Sequence, residues 1–173
     1  DVARAASGLA SAQVPGRMQR LDLGPAAPHV VVDFAHTPQA VEAALSALPA
    51  GGRRVVVLGA GGDRDATKRG PMGAAAARCA DVVIVTDDNP RMEVPEDIRA
   101  AVLAGARGAA VAGVRVLDGG DRRSAIAAAL AMAGPGDWVA ILGKGHETGQ
   151  IIGTQIHPFD DVSVAGELAR RSL

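Results

Sequence analysis

Val82-Val83-Ile84-Val85-Thr86-Asp87-Asp88-Asn89-Pro90-Arg91 begins as an aliphatic run and passes directly into a polar loop. A run that is apolar at every position lacks the alternation of a half-exposed strand, so it needs cover on both faces. The same pattern returns at Val30–Phe34, Arg54–Leu58, Val114–Leu117 and Trp138–Leu142. Ala-rich helical stretches lie between and after these runs, at about 38–48, 71–80, 95–106, 121–133 and 160–171. Buried strands separated by helices predict an α/β fold: a Rossmann-like, mostly parallel sheet with helices on both faces and right-handed crossovers.

Helix starts are well marked. Thr37-Pro38 and Gly70-Pro71 place proline where its missing N–H costs nothing, and Pro95-Glu96-Asp97 adds acids at the positive helix end. Asp121 caps one further helix, and Asp160 or Asp161 another. Residues 1–27 stand outside the alternation. They read as the tail of a preceding domain plus a Pro-rich joint at Gly24-Pro25-Ala26-Ala27-Pro28, which leaves 28–173 as the domain proper.

The 173 residues are 48% apolar, yet Phe34, Phe159 and Trp138 are the only aromatic residues among Phe, Trp and Tyr. Small aliphatic side chains suit close packing of helix on sheet, and they offer almost no stacking surface for nucleobases. A net charge of −1 without a basic run argues against nucleic acid and against an anionic membrane surface. Cys79 is the single cysteine, so neither a disulfide framework nor a thiolate metal site can be built. The sequence shows no signal-peptide pattern and no apolar run of membrane-spanning length, and a cytoplasmic location is expected.

In an open parallel sheet, ligands bind beyond the carboxyl ends of the strands. Four polar clusters fall there: Asp33-Phe34-Ala35-His36-Thr37, Gly59 to Asp65 with Lys68-Arg69, Asp87 to Arg91, and Gly143-Lys144-Gly145-His146-Glu147. In the third, Asp88 can accept from an ammonium, Asn89 can donate or accept, and Arg91 offers a planar fork to a carboxylate. Pro90 holds them at a set splay. That combination suits the free end of an amino acid, although an Asp-Asn-Pro turn after a strand is also ordinary turn chemistry.

The remaining residues leave alternatives open. Arg64 is either a carboxylate clamp or an ion-pair partner of Asp63 or Asp65. Glu147 is a turn acid or an ammonium acceptor, and Gly143 and Gly145 permit close backbone approach or a positive φ. Asp33 either accepts from ribose hydroxyls or caps the following helix. Lys68 and Arg69 read as a solvated or interdomain charged face. Gly59-Ala60-Gly61 fails as a dinucleotide fingerprint because Arg64 stands at the third glycine position. Gly143-Lys144-Gly145 fails as a phosphate loop because no glycine lies five residues before it and no Ser or Thr follows. His36 and His146 lack partners at metal-ligand spacing. No complete triphosphate site, metal site or catalytic residue is therefore expected within the chain.

Taken in order, Asp33-Phe34-Ala35-His36-Thr37-Pro38, Gly61-Gly62-Asp63-Arg64-Asp65 with Lys68-Arg69, Asp88-Asn89-Pro90-Arg91 and Gly143-Lys144-Gly145-His146-Glu147 resemble the carboxy-terminal domain of the Mur ligases, in particular the diaminopimelate-adding members. The likeness runs from about Pro15 to Leu173. It implies a cytoplasmic, three-domain enzyme of peptidoglycan synthesis. There ATP phosphorylates the carboxylate of a UDP-MurNAc-dipeptide, and the amine of meso-diaminopimelate attacks the acyl phosphate. The resemblance places the phosphate loop and the Mg2+ ligands in a central domain and the UDP-sugar contacts in an amino-terminal one. It also implies that Asp88, Asn89 and Arg91 grip diaminopimelate, with Pro90 shaping their loop. Arg64 would pair its carboxylate, and Gly143 and Glu147 would contact its far end. Asp33, His36 and Arg17 would face the nucleotide. Phe34 departs from the tyrosine expected before Ala-His, which removes a hydroxyl. Two rival readings are a folylpolyglutamate or cyanophycin type of ligase domain and a non-catalytic Rossmann-like binding module.

Overall fold

The β-branched runs carry no polar face, and the chain resolves this by sandwiching them between helices. The computed structural model describes residues 13–172. Its strands are β1 (Gln19–Leu21), β2 (His29–Asp33), β3 (Arg54–Ala60), β4 (Val82–Asp87), β5 (Arg115–Gly120) and β6 (Trp138–Leu142), followed by a hairpin of β7 (Gly149–Ile152) and β8 (Gln155–Pro158). The helices are α1 (Pro38–Ser46), α2 (Arg69–Cys79), α3 (Pro95–Ala109), α4 (Arg122–Met132) and α5 (Asp161–Ser172). The main sheet runs in the order β1-β2-β6-β3-β4-β5. Every pairing in it is parallel except that of β1 with β2.

Successive residues of each central strand serve opposite core layers. Val31, Val56, Leu58, Val83 and Leu142 pack against α1, α2 and α3, while Val30, Val55, Val57, Ile84 and Ile141 pack against α4 and α5. Both layers are apolar, which is why the sequence shows continuous runs and not alternation. Helices α2 and α3 approach closely: a Cβ on Gly73 or Gly105 would overlap the backbone carbonyl of Val102 or Gly70. The Ala and Gly content of those helices is thus the means of that approach.

Thr37 Oγ1 accepts from Ala40 N at 3.2 Å, and Asp121 Oδ1 accepts from Ser124 N at 3.0 Å, as the start signals require. The choice between Asp160 and Asp161 is resolved by depth. Asp160 caps α5 by accepting from Ser163 N, whereas Asp161 is fully buried in a pair with Arg122. Two features depart from the sequence reading. Residues 19–21, expected outside the alternation, form an edge strand antiparallel to β2. Residues 149–158, given no element in the sequence, form a hairpin turned at Gly153, where φ is +58°. Both are short and half-exposed, so neither carries a strong hydrophobic signal. The part of the expected preceding-domain tail that spans residues 1–12 lies outside the described residues.

This topology assembles the site. Because β6 inserts between β2 and β3, the strands β2, β6, β3 and β4 are consecutive neighbours in the sheet. The four polar loops follow these four strands, so they meet along one edge despite being up to about a hundred residues apart in sequence.

Candidate functional site

Those loops enclose a cleft of about 320 Å³ lined by residues of all four, among them Arg64, Lys68, Asp88, Asn89, Arg91 and Glu147. Gly143, Gly61, Phe34 and His36 complete the lining. The lining carries both signs, Arg64, Lys68 and Arg91 together with Asp88 and Glu147, so the cleft is bipolar.

Arg91 is held by an exchange of hydrogen bonds between the loops after β3 and β4. Gly62 N donates to Asn89 O at 2.9 Å, and Arg91 Nη1 donates to Gly62 O at 2.7 Å. Arg91 adopts a left-handed φ of +52°, which a non-glycine residue keeps only when its surroundings over-determine it. Here the hairpin does so: Arg91 N donates to Ile151 O at 3.0 Å, and Gly153 N donates to Arg91 O at 2.7 Å. Pro90 is buried at the centre of this loop. Arg64 contrasts with Arg91. It is exposed, its guanidinium donates to its own neighbour Asp63 O at 3.0 Å, and among the described residues it pairs with neither Asp63 nor Asp65. The two arginines flank Gly61, where a Cβ would lie 2.9 Å from Arg91 Nη1 and 3.8 Å from Arg64 Cγ.

Asp88, Asn89 and Glu147 gather around a residue not singled out from the sequence. Lys144 is fully buried, and its Nζ donates to Asn89 Oδ1 at 3.1 Å and to Glu147 Oε2 at 3.2 Å, with Asp88 Oδ1 4.0 Å away. Asn89 Nδ2 in turn donates to Glu147 Oε2 at 2.9 Å. Gln150, also buried, donates from Nε2 to Asp88 O at 2.7 Å. Gly143 takes a φ of +118°, and a Cβ there would meet Asp88 Oδ2 at 2.5 Å, so glycine is required on both counts. Burial raises the Asp88 carboxyl above the usual carboxylate range, opposed by the positive charges of Arg122 and Lys144.

The residues expected to face a nucleotide gather at the rim. Asp33 Oδ2 accepts from Met18 N at 2.7 Å, which ties the turn before β1 to the end of β2. The guanidinium of Arg17 stands 4.8 Å from the Phe34 ring centroid, and Phe34 also packs against His36 and His146. Asp33 does not cap the helix after it; Thr37 does. Gly16, beside Arg17, sits against the backbone of Gly145 and His146 without room for a Cβ.

One expectation fails outright. Arg69 is not part of a solvated face: it is buried and donates to Glu93 Oε1 at 2.8 Å and to Gly61 O at 3.3 Å. It braces the glycine loop from below, and only Lys68 faces the cleft. Lys144 and Gln150 were missed because a failed phosphate-loop pattern and an unassigned hairpin offered no reason to single them out. The available signal was the position of Lys144 between two glycines directly after a fully buried strand. Among the described residues no group of three or more His, Cys, Asp or Glu side chains could hold a metal ion, and no helix is long and apolar enough to cross a membrane.

UDP-N-acetylmuramoyl-L-alanyl-D-glutamate--2,6-diaminopimelate ligase of Corynebacterium efficiens is 55% identical over 172 residues, which cover 96% of this chain and 32% of that protein. A solved structure of a ligase of the same name superposes with a TM-score of 0.84 at 37% identity, covering 99% of this chain and 37% of that one. E. coli FolC in complex with ADP is more distant, with a TM-score of 0.56 at 27% identity over 96% of this chain and 34% of that one. The chain thus spans about a third of the length of the curated relatives it matches. The family model described as "Mur ligase, glutamate ligase domain" matches residues 16–145, and on that match the chain belongs to the Mur ligase family as a carboxy-terminal domain.

Proposed function

We propose that this chain is the acceptor-binding domain of an ATP-dependent ligase that joins meso-diaminopimelate to UDP-MurNAc-L-Ala-D-Glu in cytoplasmic peptidoglycan synthesis. The observation that carries the reading is the bipolar cleft, whose lining combines Arg64 and Arg91 with Asp88 and Glu147. Diaminopimelate differs from lysine by a carboxylate beside its far ammonium. A site with guanidinium groups for that carboxylate and acids for that ammonium favours it over lysine, because lysine leaves the arginines unpaired. Asn89 and Gly143 complete the contacts in this reading, and Pro90 sets the loop. The names of the relatives at 55% and 37% identity support the same substrate.

Residues 1–27 are assigned to the tail of a central domain and its joint, and 28–173 to the acceptor-binding domain. ATP would activate the dipeptide carboxylate by phosphorylation. Arg17, Asp33 and His36 stand together at the rim, where a nucleotide held by the rest of the ligase would meet them. Among the described residues Asp33 keeps its Oδ1 for such a contact, since Oδ2 already accepts from Met18 N. Magnesium, which the resemblance implies, finds no ligand set among the described residues, and its ligands are assigned to the remainder of the ligase. This chain's residues bind the acceptor and orient its amine toward the activated carboxylate. The new C–N bond forms there as the phosphate leaves.

The test is phosphate release by the full-length ligase with ATP and UDP-MurNAc-L-Ala-D-Glu, comparing meso-diaminopimelate with L-lysine. A preference for diaminopimelate of about 10³-fold or more in kcat/KM is expected. Preference for lysine would overturn the site chemistry, and release with neither would overturn the ligase reading.

A further inference from the structure

We infer that Lys144 is a positioning residue of this site: its buried ammonium fixes the Asn89 carboxamide so that Asn89 offers the cleft an N–H donor. The inference rests on the reading of the cleft as an amino-acid acceptor site. It starts from the cost of burying a lysine, since a fully buried ammonium survives only with partners that satisfy it. Lys144 has two hydrogen-bond acceptors, Asn89 Oδ1 and Glu147 Oε2, with the Asp88 carboxylate 4.0 Å away.

The orientation of the amide follows from donor and acceptor identity. An ammonium carries no lone pair, so Lys144 can meet only the oxygen of Asn89. The Ile151 backbone N–H, 2.9 Å from the same atom, imposes the same choice. On the other side, the Glu147 carboxylate accepts and so meets the NH2 group. Three neighbours thus agree on one orientation, and flipping the amide would break all three contacts. Glu147 takes one Nδ2 hydrogen, and among the described residues nothing else accepts from this group, which leaves the second to the cleft that Asn89 lines.

The consequence is polarity. Asn89 by itself could receive either end of a zwitterion, but held in this way it receives an oxygen. The ligand carboxylate is therefore directed to Asn89 and Arg91, and the ammonium to Asp88 and to Glu147 Oε1, since Oε2 is already shared by Lys144 and Asn89. Lys144 is too deeply buried to touch the ligand, so its influence passes through Asn89 and Glu147.

The experiment uses the full-length ligase with Lys144→Met, which keeps an unbranched side chain one atom shorter and removes the charge. The expected result is a rise of about tenfold or more in KM for meso-diaminopimelate, with KM for ATP and for the UDP-MurNAc-dipeptide changed by less than about threefold. An unchanged KM for diaminopimelate, or an equal rise for all three substrates, overturns the inference. Should Lys144→Met fail to fold, the unaltered protein decides through the Asn89 side-chain amide in NMR. Two resolved Nδ2 proton signals, one protected from exchange and the other shifted by meso-diaminopimelate, are expected; an amide exchanging freely at both protons overturns it. Failure of the underlying reading shows separately, as an unaltered ligase that releases no phosphate with diaminopimelate.

Discussion

Arg64 and Arg91 line the same cleft, yet the structure predicts that removing them has unequal effects. Arg91 Nη1 is committed to Gly62 O at 2.7 Å and lies 3.4 Å from Asn89 O, so the guanidinium plane is set before any ligand arrives. Its backbone is clamped on both sides by the β7–β8 hairpin. Among the described residues Nη2 and Nε have no partner, so on the proposed reading they are free for a carboxylate, and the rotamer entropy of the side chain is already spent. Two charge-assisted hydrogen bonds in a partly dry cleft are worth about 3–4 kcal/mol together, so Arg91→Ala should lower kcat/KM for diaminopimelate by roughly 10²–10³. Arg64 is exposed and, among the described residues, tethered only to Asp63 O. It must be ordered on binding and is screened by water, so Arg64→Ala should cost about 1 kcal/mol, roughly fivefold. Arg91→Lys should rescue little, because an ammonium cannot hold Gly62 O and present a fork at once. The assay is phosphate release by the full-length ligase at varied diaminopimelate, with thermal melts to verify that each variant is folded. Equal losses for the two alanine variants, or a larger loss at Arg64, would refute the argument from preorganisation.

Two further outcomes concern stability. Arg122 and Asp161 form a fully buried pair, 2.7 Å and 2.8 Å apart at its two contacts. Arg122→Met should cost about 3–5 kcal/mol in urea denaturation by stranding Asp161, while adding Asp161→Leu should recover most of that loss. If the double variant is no more stable than the single one, the pair does more than compensate itself. At the opposite end of the sheet, Asp137 accepts from Gly134 N and Arg53 N, and with the Arg53 side chain these bonds hold its carboxyl at about 2. Its native pKa lies below the unfolded value. The stabilisation is therefore complete above about pH 4 and is lost as pH falls toward 2. Asp137→Asn should lower stability by about 1 kcal/mol near neutrality, and its melting temperature should converge with that of the unaltered chain between pH 4 and pH 2. A constant gap across that range would show that the carboxylate charge is not the cause.

Much of the architecture was legible because its cause is local. Continuous aliphatic runs at 30–34, 54–58, 82–85 and 138–142 can satisfy their two apolar faces only between helix layers, and Thr37, Asp121 and the prolines mark helix starts through bonds within a few residues. The charged motifs were equally visible, since Asp88, Asn89 and Arg91 are adjacent in sequence. What the sequence could not supply was any property set by a neighbour from another loop. Arg69 looks like Lys68 in the chain, yet one is buried against Glu93 and Gly61 while the other faces the cleft. Asn89 is ambiguous as a letter and becomes a donor only because Lys144 and Ile151, more than fifty residues away, occupy its oxygen. Lys144 itself reads as a failed phosphate loop until the insertion of β6 between β2 and β3 carries it beneath the Asp-Asn-Pro-Arg turn. Local hydrophobic period and capping chemistry thus determine the elements, whereas donor direction and burial of charge depend on contacts that only the sheet order creates.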